Sequence, residues 1–140
     1  MSRKMYNPKI CEAATRAVFS GERPLAELWE LSNQEKAWVF VGLMWARPDD
    51  YLFAGDGLRY PLVRIIRAMF NTPGSTGKHY TIATNVITIA YTHKLYEVNS
   101  DKRARQILTP PRSLQTLVEK MKEQEAVTAL HERTMSQLGD

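Results

Sequence analysis

Cysteine is almost missing from this chain: Cys11 is the only one in 140 residues. No internal disulfide can form, and thiolate metal sites, which need several cysteines at close spacing, are excluded. A reducing, cytoplasmic setting is the expectation. Long hydrophobic runs are lacking too. The longest, Ala37 to Ala46, reaches about half of the ~20 residues that a membrane-spanning helix needs. The basic start from Met1 to Pro8 has no apolar stretch behind it, which argues against a secretory signal. No membrane partner is expected, and neither internal repeats nor low-complexity stretches occur.

Acidic residues are scarce in one place, and that scarcity is the most informative feature. From Gly57 to Arg112 there are nine Lys or Arg against only Glu97 and Asp101, a net of +7, whereas residues 1–56 carry −1 and residues 113–140 carry −2. Segregated positive charge builds a local potential that an even distribution cannot, so a polyanionic partner, DNA or RNA, is favoured.

What remains is ordinary for a folded protein. Hydrophobic residues make up 44% and charged residues 24%, values that fit a globular chain rather than a disordered one. At this length a single compact domain is expected.

Helical signals dominate. Asn7 and Pro8 open a helix in which Ile10, Ala13, Ala14, Ala17 and Val18 share one face, and Gly21 ends it. Pro24 starts a short helix through Leu31. Ser32 and Glu35 have the spacing of a capping box, so the next helix begins near Asn33 and stops at Arg47-Pro48. Its apolar residues cover all azimuths, which predicts a core helix buried nearly all round. The sharper alternative turns Trp38 or Trp45 toward another subunit. Pro48 to Asp56 reads as a loop with an aromatic anchor, Tyr51 to Phe53 being exposed in an assembly reading. Residues 60–71 form an amphipathic helix with Arg64 and Arg67 pointing away from its apolar stripe.

Two stretches leave alternatives open. Between Tyr80 and Val98 the β-branched residues suggest a short β-hairpin around 80–98, while a helical wheel gathers Ile82, Val86 and Ile89 opposite Thr81, Thr84, Asn85 and Thr88. The helical reading is preferred. After Pro110-Pro111 a long helix is expected over 112–138, its seam apolar at Leu114, Leu117 and Met121, polar at Gln124, Thr128 and His131, then apolar again at Met135 and Leu138. That pattern suits either packing on a partner through both ends or a break near Glu123 to Glu125.

Catalytic patterns fail on inspection. Thr72 to His79 resembles a phosphate loop, but Thr72 stands where the first glycine is needed and His79 where the magnesium-binding hydroxyl is needed. Asp49, Asp50 and Asp56 have no neighbouring lysine of the kind a metal-dependent nuclease uses, and turn or capping roles suit them better. His79, His93 and His131 lack ligand spacing. No enzyme activity, metal or cofactor is expected.

The resulting expectation is a mainly α-helical single domain of five or six helices that binds nucleic acid without catalysis. Its contact residues would be Arg64, Arg67, Lys78, Thr81, Thr84, Asn85, Thr88, Lys94, Lys102, Arg103 and Arg105, the cations meeting phosphates and the short polar side chains meeting phosphate oxygens or base edges. A solvated polar face with ordinary surface cations is the plain alternative. The competing function is a small helical oligomeric assembly or inhibitor, a homo-oligomer or protein binder, with Trp38, Trp45, Leu114, Leu117 and Met121 at its interface.

Overall fold

A computed structural model of the chain describes residues 8–53, 57–70, 78–93 and 112–139. Helix α1 spans Pro8–Phe19, a 3-10 helix η1 spans Leu25–Glu30, and α2 spans Asn33–Ala46. A single turn, α3 (Pro48–Tyr51), leads into strand β1 (Leu52–Phe53), which pairs antiparallel with β2 (Gly57–Leu58), Leu52 opposite Leu58. Then follow α4 (Leu62–Met69), α5 (Lys78–His93), α6 (Arg112–Met121) and α7 (Glu125–Leu138).

Helix α2 is the hub. Its start is fixed by the capping box: the Glu35 amide donates to Ser32 Oγ at 3.2 Å and the Ser32 amide donates to Glu35 Oε1 at 2.9 Å, which satisfies two N–H groups that a helix end leaves without partners. From Lys36 to Ala46 every residue except Trp45 is buried. Neighbouring helices therefore cover it on several sides: α1, α5 and α6 all pack against it. Close approach of α1 depends on Gly42, where a Cβ would stand 3.1 Å from Phe19 Cζ and 3.2 Å from Thr15 Cγ2. At the end of α1, Gly21 adopts φ +86°, a left-handed conformation that side chains oppose and glycine accepts.

The mainly α character holds, and two expectations are corrected. The hairpin around 80–98 is not formed: α5 is helical from Lys78 to His93, and residues 94–98 lie outside the described residues. Ile82, Ala83 and Val86 are buried while Thr81 and Thr84 are exposed, so burial at helical spacing overrides the strand preference of the Ile, Val and Thr side chains. Among the described residues there are eight helical segments rather than five or six. The excess comes from α3, which was read as loop, and from the C-terminal segment, which divides into α6 and α7.

That division explains the polar middle of the C-terminal seam. Helix α6 packs on α2, and α7 packs mainly on α4. Between them Arg47, at the end of α2, donates to Lys122 O at 2.8 Å and to Thr128 Oγ1 at 3.1 Å. Of the polar seam residues Thr128 is thus used inside this chain, as is His131, whose Nδ1 lies 2.9 Å from the Tyr51 hydroxyl, while Gln124 is exposed at the start of α7. Leu114, Leu117 and Trp38 are buried in its own core, and Trp45 and Met121 pack partly buried against it. None of the three core residues has surface to give a partner. Nor is Tyr51 an exposed aromatic: it is fully buried.

Candidate nucleic-acid interface

The site begins with the geometry of α5. At 3.6 residues per turn, positions four apart stack on one face, which places Thr81 below Asn85 and Tyr80 below Thr84 in two neighbouring rows on the helix surface. The Thr84 hydroxyl donates to Tyr80 O at 3.0 Å and Asn85 Nδ2 donates to Thr81 O at 2.8 Å, both bonds running one turn back along the helix. The Thr81–Asn85 row faces the junction of η1 with α2. There a groove of about 690 Å³ opens, with Trp29 and Glu30 from η1, Asn33 and Lys36 from α2, and Thr81 and Asn85 from α5 on its walls.

The groove combines features that a merely solvated face does not. Trp29 is 55% exposed at its rim, and Tyr80, in the adjoining row, is 61% exposed. Large aromatic side chains usually bury most of their surface, so an indole left open at the rim of a groove is informative; Tyr80 is a second open ring on α5, outside the groove's lining. At its floor Asn85 is only 4% exposed, and its Oδ1 makes no hydrogen bond. Glu30 contributes the one carboxylate among the groove residues named above.

Positive charge gathers at one end of α5. His79 is buried beside Arg67 and Lys36, and its pKa is pushed below the ordinary value first by burial and then by those two cations, so the imidazole is neutral at pH 7. Arg67 itself is exposed. Arg64, one turn earlier on α4, is occupied differently: its guanidinium donates to Leu138 O at 3.0 Å and lies 5.4 Å from the centre of the Tyr60 ring. It therefore caps the end of α7, where a cation meets the negative end of the helix dipole.

Of the expected contact residues, the structure brings Thr81 and Asn85 to the groove and puts Thr84 and Arg67 on exposed surface, while Arg64 serves the fold. Lys78 and Thr88 belong to α5 by their backbone, with side chains outside the description; Lys94, Lys102, Arg103 and Arg105 lie outside the described residues. Trp29 and Tyr80 were missed. In sequence Trp29 reads as one more apolar residue beside Leu25 and Leu28, and nothing local to it shows that η1 leaves the indole open.

A second polar cluster lies between α3 and α7. His131 Nε2 is 3.3 Å from Asp50 Oδ2, and the Tyr51 hydroxyl is 2.9 Å from Nδ1. Both imidazole nitrogens are engaged and the phenol is buried, so this group offers no nucleophile or free base. It locks the α3 turn onto α7. Among the described residues no group of three or more His, Cys, Asp or Glu side chains could hold a metal, and no helix is long and apolar enough to cross a membrane. No protein-family model, curated protein or solved structure matches the chain.

Proposed function

We propose that this protein binds single-stranded nucleic acid in the groove between η1 and α5, without catalysing a reaction. The observation that carries the reading is Trp29, whose exposed indole stands at the rim of a polar groove with Thr81 and Asn85 on the facing wall. Stacking of a base on such a ring contributes about 1–3 kcal/mol, and every base has a face to offer. Tyr80 adds a second ring, the Thr81 and Thr84 hydroxyls suit phosphate oxygens, and Arg67 adds charge. The net +7 of residues 57–112 favours the approach of a polyanion. A duplex suits these features less, because its bases are already stacked on one another.

Fluorescence provides the test. Trp38 is fully buried and Trp45 is largely covered, so quenching on addition of a short oligonucleotide reports chiefly on Trp29. Quenching that saturates, weakens steeply between 50 and 200 mM salt and disappears in Trp29→Ala is expected. Absence of binding to both DNA and RNA oligomers, or binding indifferent to salt, overturns the reading.

A second reading has its own observation. Ile10 is 58% exposed on the small-residue face of α1, beside a concavity of about 480 Å³ floored by Ala13, Ala14 and Ala17. Self-association through this face is the assembly alternative. Light scattering decides it: a monomer at high concentration removes it, while a dimer dispersed by Ile10→Glu supports it.

A further inference from the structure

Leu31 lines two concavities at once. On one side lies the groove with Trp29 and Thr81; on the other lies the space of about 480 Å³ bounded by Ile10, Ala13, Ala17, Arg23 and Glu35. Leu31 is only 8% exposed, so it makes a low divide between them. The capping box fixes that divide: Ser32 belongs to the first space and Glu35 to the second, and each side chain holds the other's amide.

Charge distinguishes the two spaces. The groove at Trp29 has one cation, Lys36, against one carboxylate, Glu30, and is neutral by its own lining. The neighbouring concavity has Lys9 and Arg23 against Glu35 alone, whose Oε1 already accepts from the Ser32 amide at 2.9 Å. Arg23 is the informative residue. Its guanidinium makes no hydrogen bond or ion pair among the described residues: Nε is covered and without a partner, while Nη1 and Nη2, equally without partners, are not covered. A part-buried guanidinium normally meets a carboxylate or carbonyl, because covering it without one costs free energy. An anionic group of a ligand would supply that partner.

We propose that the concavity beside α1 continues the strand-binding groove, so that a single-stranded nucleic acid stacked on Trp29 crosses Leu31 and sets a phosphate against the Arg23 guanidinium. The inference rests on the nucleic-acid reading above and enlarges its footprint. The span suits a short strand. Arg23 precedes η1 and Trp29 stands near its end; six residues of 3-10 helix rise about 12 Å, or roughly three to four nucleotides at about 3.4 Å each. The guanidinium's fork of N–H donors matches phosphate oxygens, which it holds through two bonds. The alanine floor and the exposed Ile10 add apolar surface for sugar and base faces, with no polar group that a ligand would leave without a partner.

The experiment measures Trp29 quenching by oligo(dT) of about four and about ten nucleotides over a range of salt. The longer oligomer reaches both spaces, so the slope of its log affinity against log salt should be the steeper. Arg23→Ala should reduce the longer oligomer's slope by about one. Lys120→Ala removes the same charge from an exposed position on α6, outside both linings, and should leave that slope as it is. Ala13→Glu puts a carboxylate on an exposed part of the floor and should abolish the gain from lengthening. Melting curves check that each variant is folded. Equal slopes for the two lengths, or equal effects of Arg23→Ala and Lys120→Ala, overturn the extension and leave binding at Trp29 standing. So does a dimer dispersed by Ile10→Glu, since a second copy then occupies this face. Failure of every oligomer to bind overturns both readings.

Discussion

The Tyr51 hydroxyl lies 2.9 Å from Nδ1 of His131, a residue 80 positions further along the chain. Asp50 Oδ2, 3.3 Å from Nε2, sets the tautomer: a carboxylate needs a donor, so Nε2 carries the proton and Nδ1 accepts from the phenol. Burial raises the Tyr51 pKa well above its ordinary value, more than a hydrogen bond with Thr134 offsets, so the hydroxyl stays protonated and available as a donor. Tyr51→Phe keeps the ring packing and leaves Nδ1 without its donor. A loss of about 1–2 kcal/mol is expected in urea unfolding followed by circular dichroism. An unchanged midpoint would show that the contact contributes nothing net.

The same histidine makes stability depend on pH. Burial, the largest influence on His131, lowers its pKa below the ordinary 6.5, and Asp50 offsets this only in part. His79 is lowered in the same direction. In the unfolded chain both side chains take up protons near pH 6.5, while the folded protein resists until lower pH. The unfolded state therefore binds more protons in this window, and stability falls as pH falls. The contribution is fully present above about pH 7 and is lost through and below 6.5. Thermal melts between pH 7.5 and 5.5 should show a declining midpoint, with a shallower decline in His131→Asn. A midpoint that rises on acidification contradicts both assignments.

Local signals were legible in the sequence and distant ones were not. The Ser32–Glu35 capping box and the apolar azimuths of α2 depend on residues within a few turns, and the structure has both. The polar middle of the C-terminal seam was visible as well, but its cause was not: Thr128 meets Arg47 across 81 positions and His131 meets Tyr51 across 80. Periodicity along one segment cannot name a partner on another. The same limit applies to the candidate site. Helical periodicity puts Thr81 and Asn85 near one another on α5 but does not show that Asn85 is buried while Thr81 is exposed, and Trp29 lines the same groove from η1, a distant segment that no local pattern connects to α5.

Gly42 offers a test of the central packing. In a helix interior Ala is favoured over Gly by roughly 1 kcal/mol, so a free site would be stabilised by Gly42→Ala. Here the added Cβ would stand 3.1 Å from Phe19 Cζ and 3.2 Å from Thr15 Cγ2, and both of those residues are fully buried. Neither has space to retreat without moving α1. Overpacking of this kind costs about 1–3 kcal/mol, which outweighs the propensity gain. Net destabilisation is expected in chemical denaturation, and a stabilised variant would show that α1 yields easily.

Arg64 and Arg67 sit three residues apart on α4 and look equivalent in the sequence, yet the structure gives them different work. Arg64 holds Leu138 O at 3.0 Å and covers the Tyr60 ring, so Arg64→Ala should lower stability by about 1 kcal/mol and change oligonucleotide affinity little. Arg67 is exposed at the end of α5 that carries His79, and its removal should leave stability within about 0.5 kcal/mol. If Arg67 meets a phosphate, Arg67→Ala weakens oligonucleotide binding and reduces the slope of log affinity against log salt by about one. It also removes one of the two cations that depress the His79 pKa, which should rise toward its ordinary value in an NMR titration. The His79 shift reports that Arg67 stands where the structure has it, whatever the oligonucleotide does. A shifted His79 with an unchanged salt slope would keep the geometry and take Arg67 out of the binding face; the reverse pattern, with Arg64→Ala flattening the salt slope, would move that face toward the C-terminal end of α7.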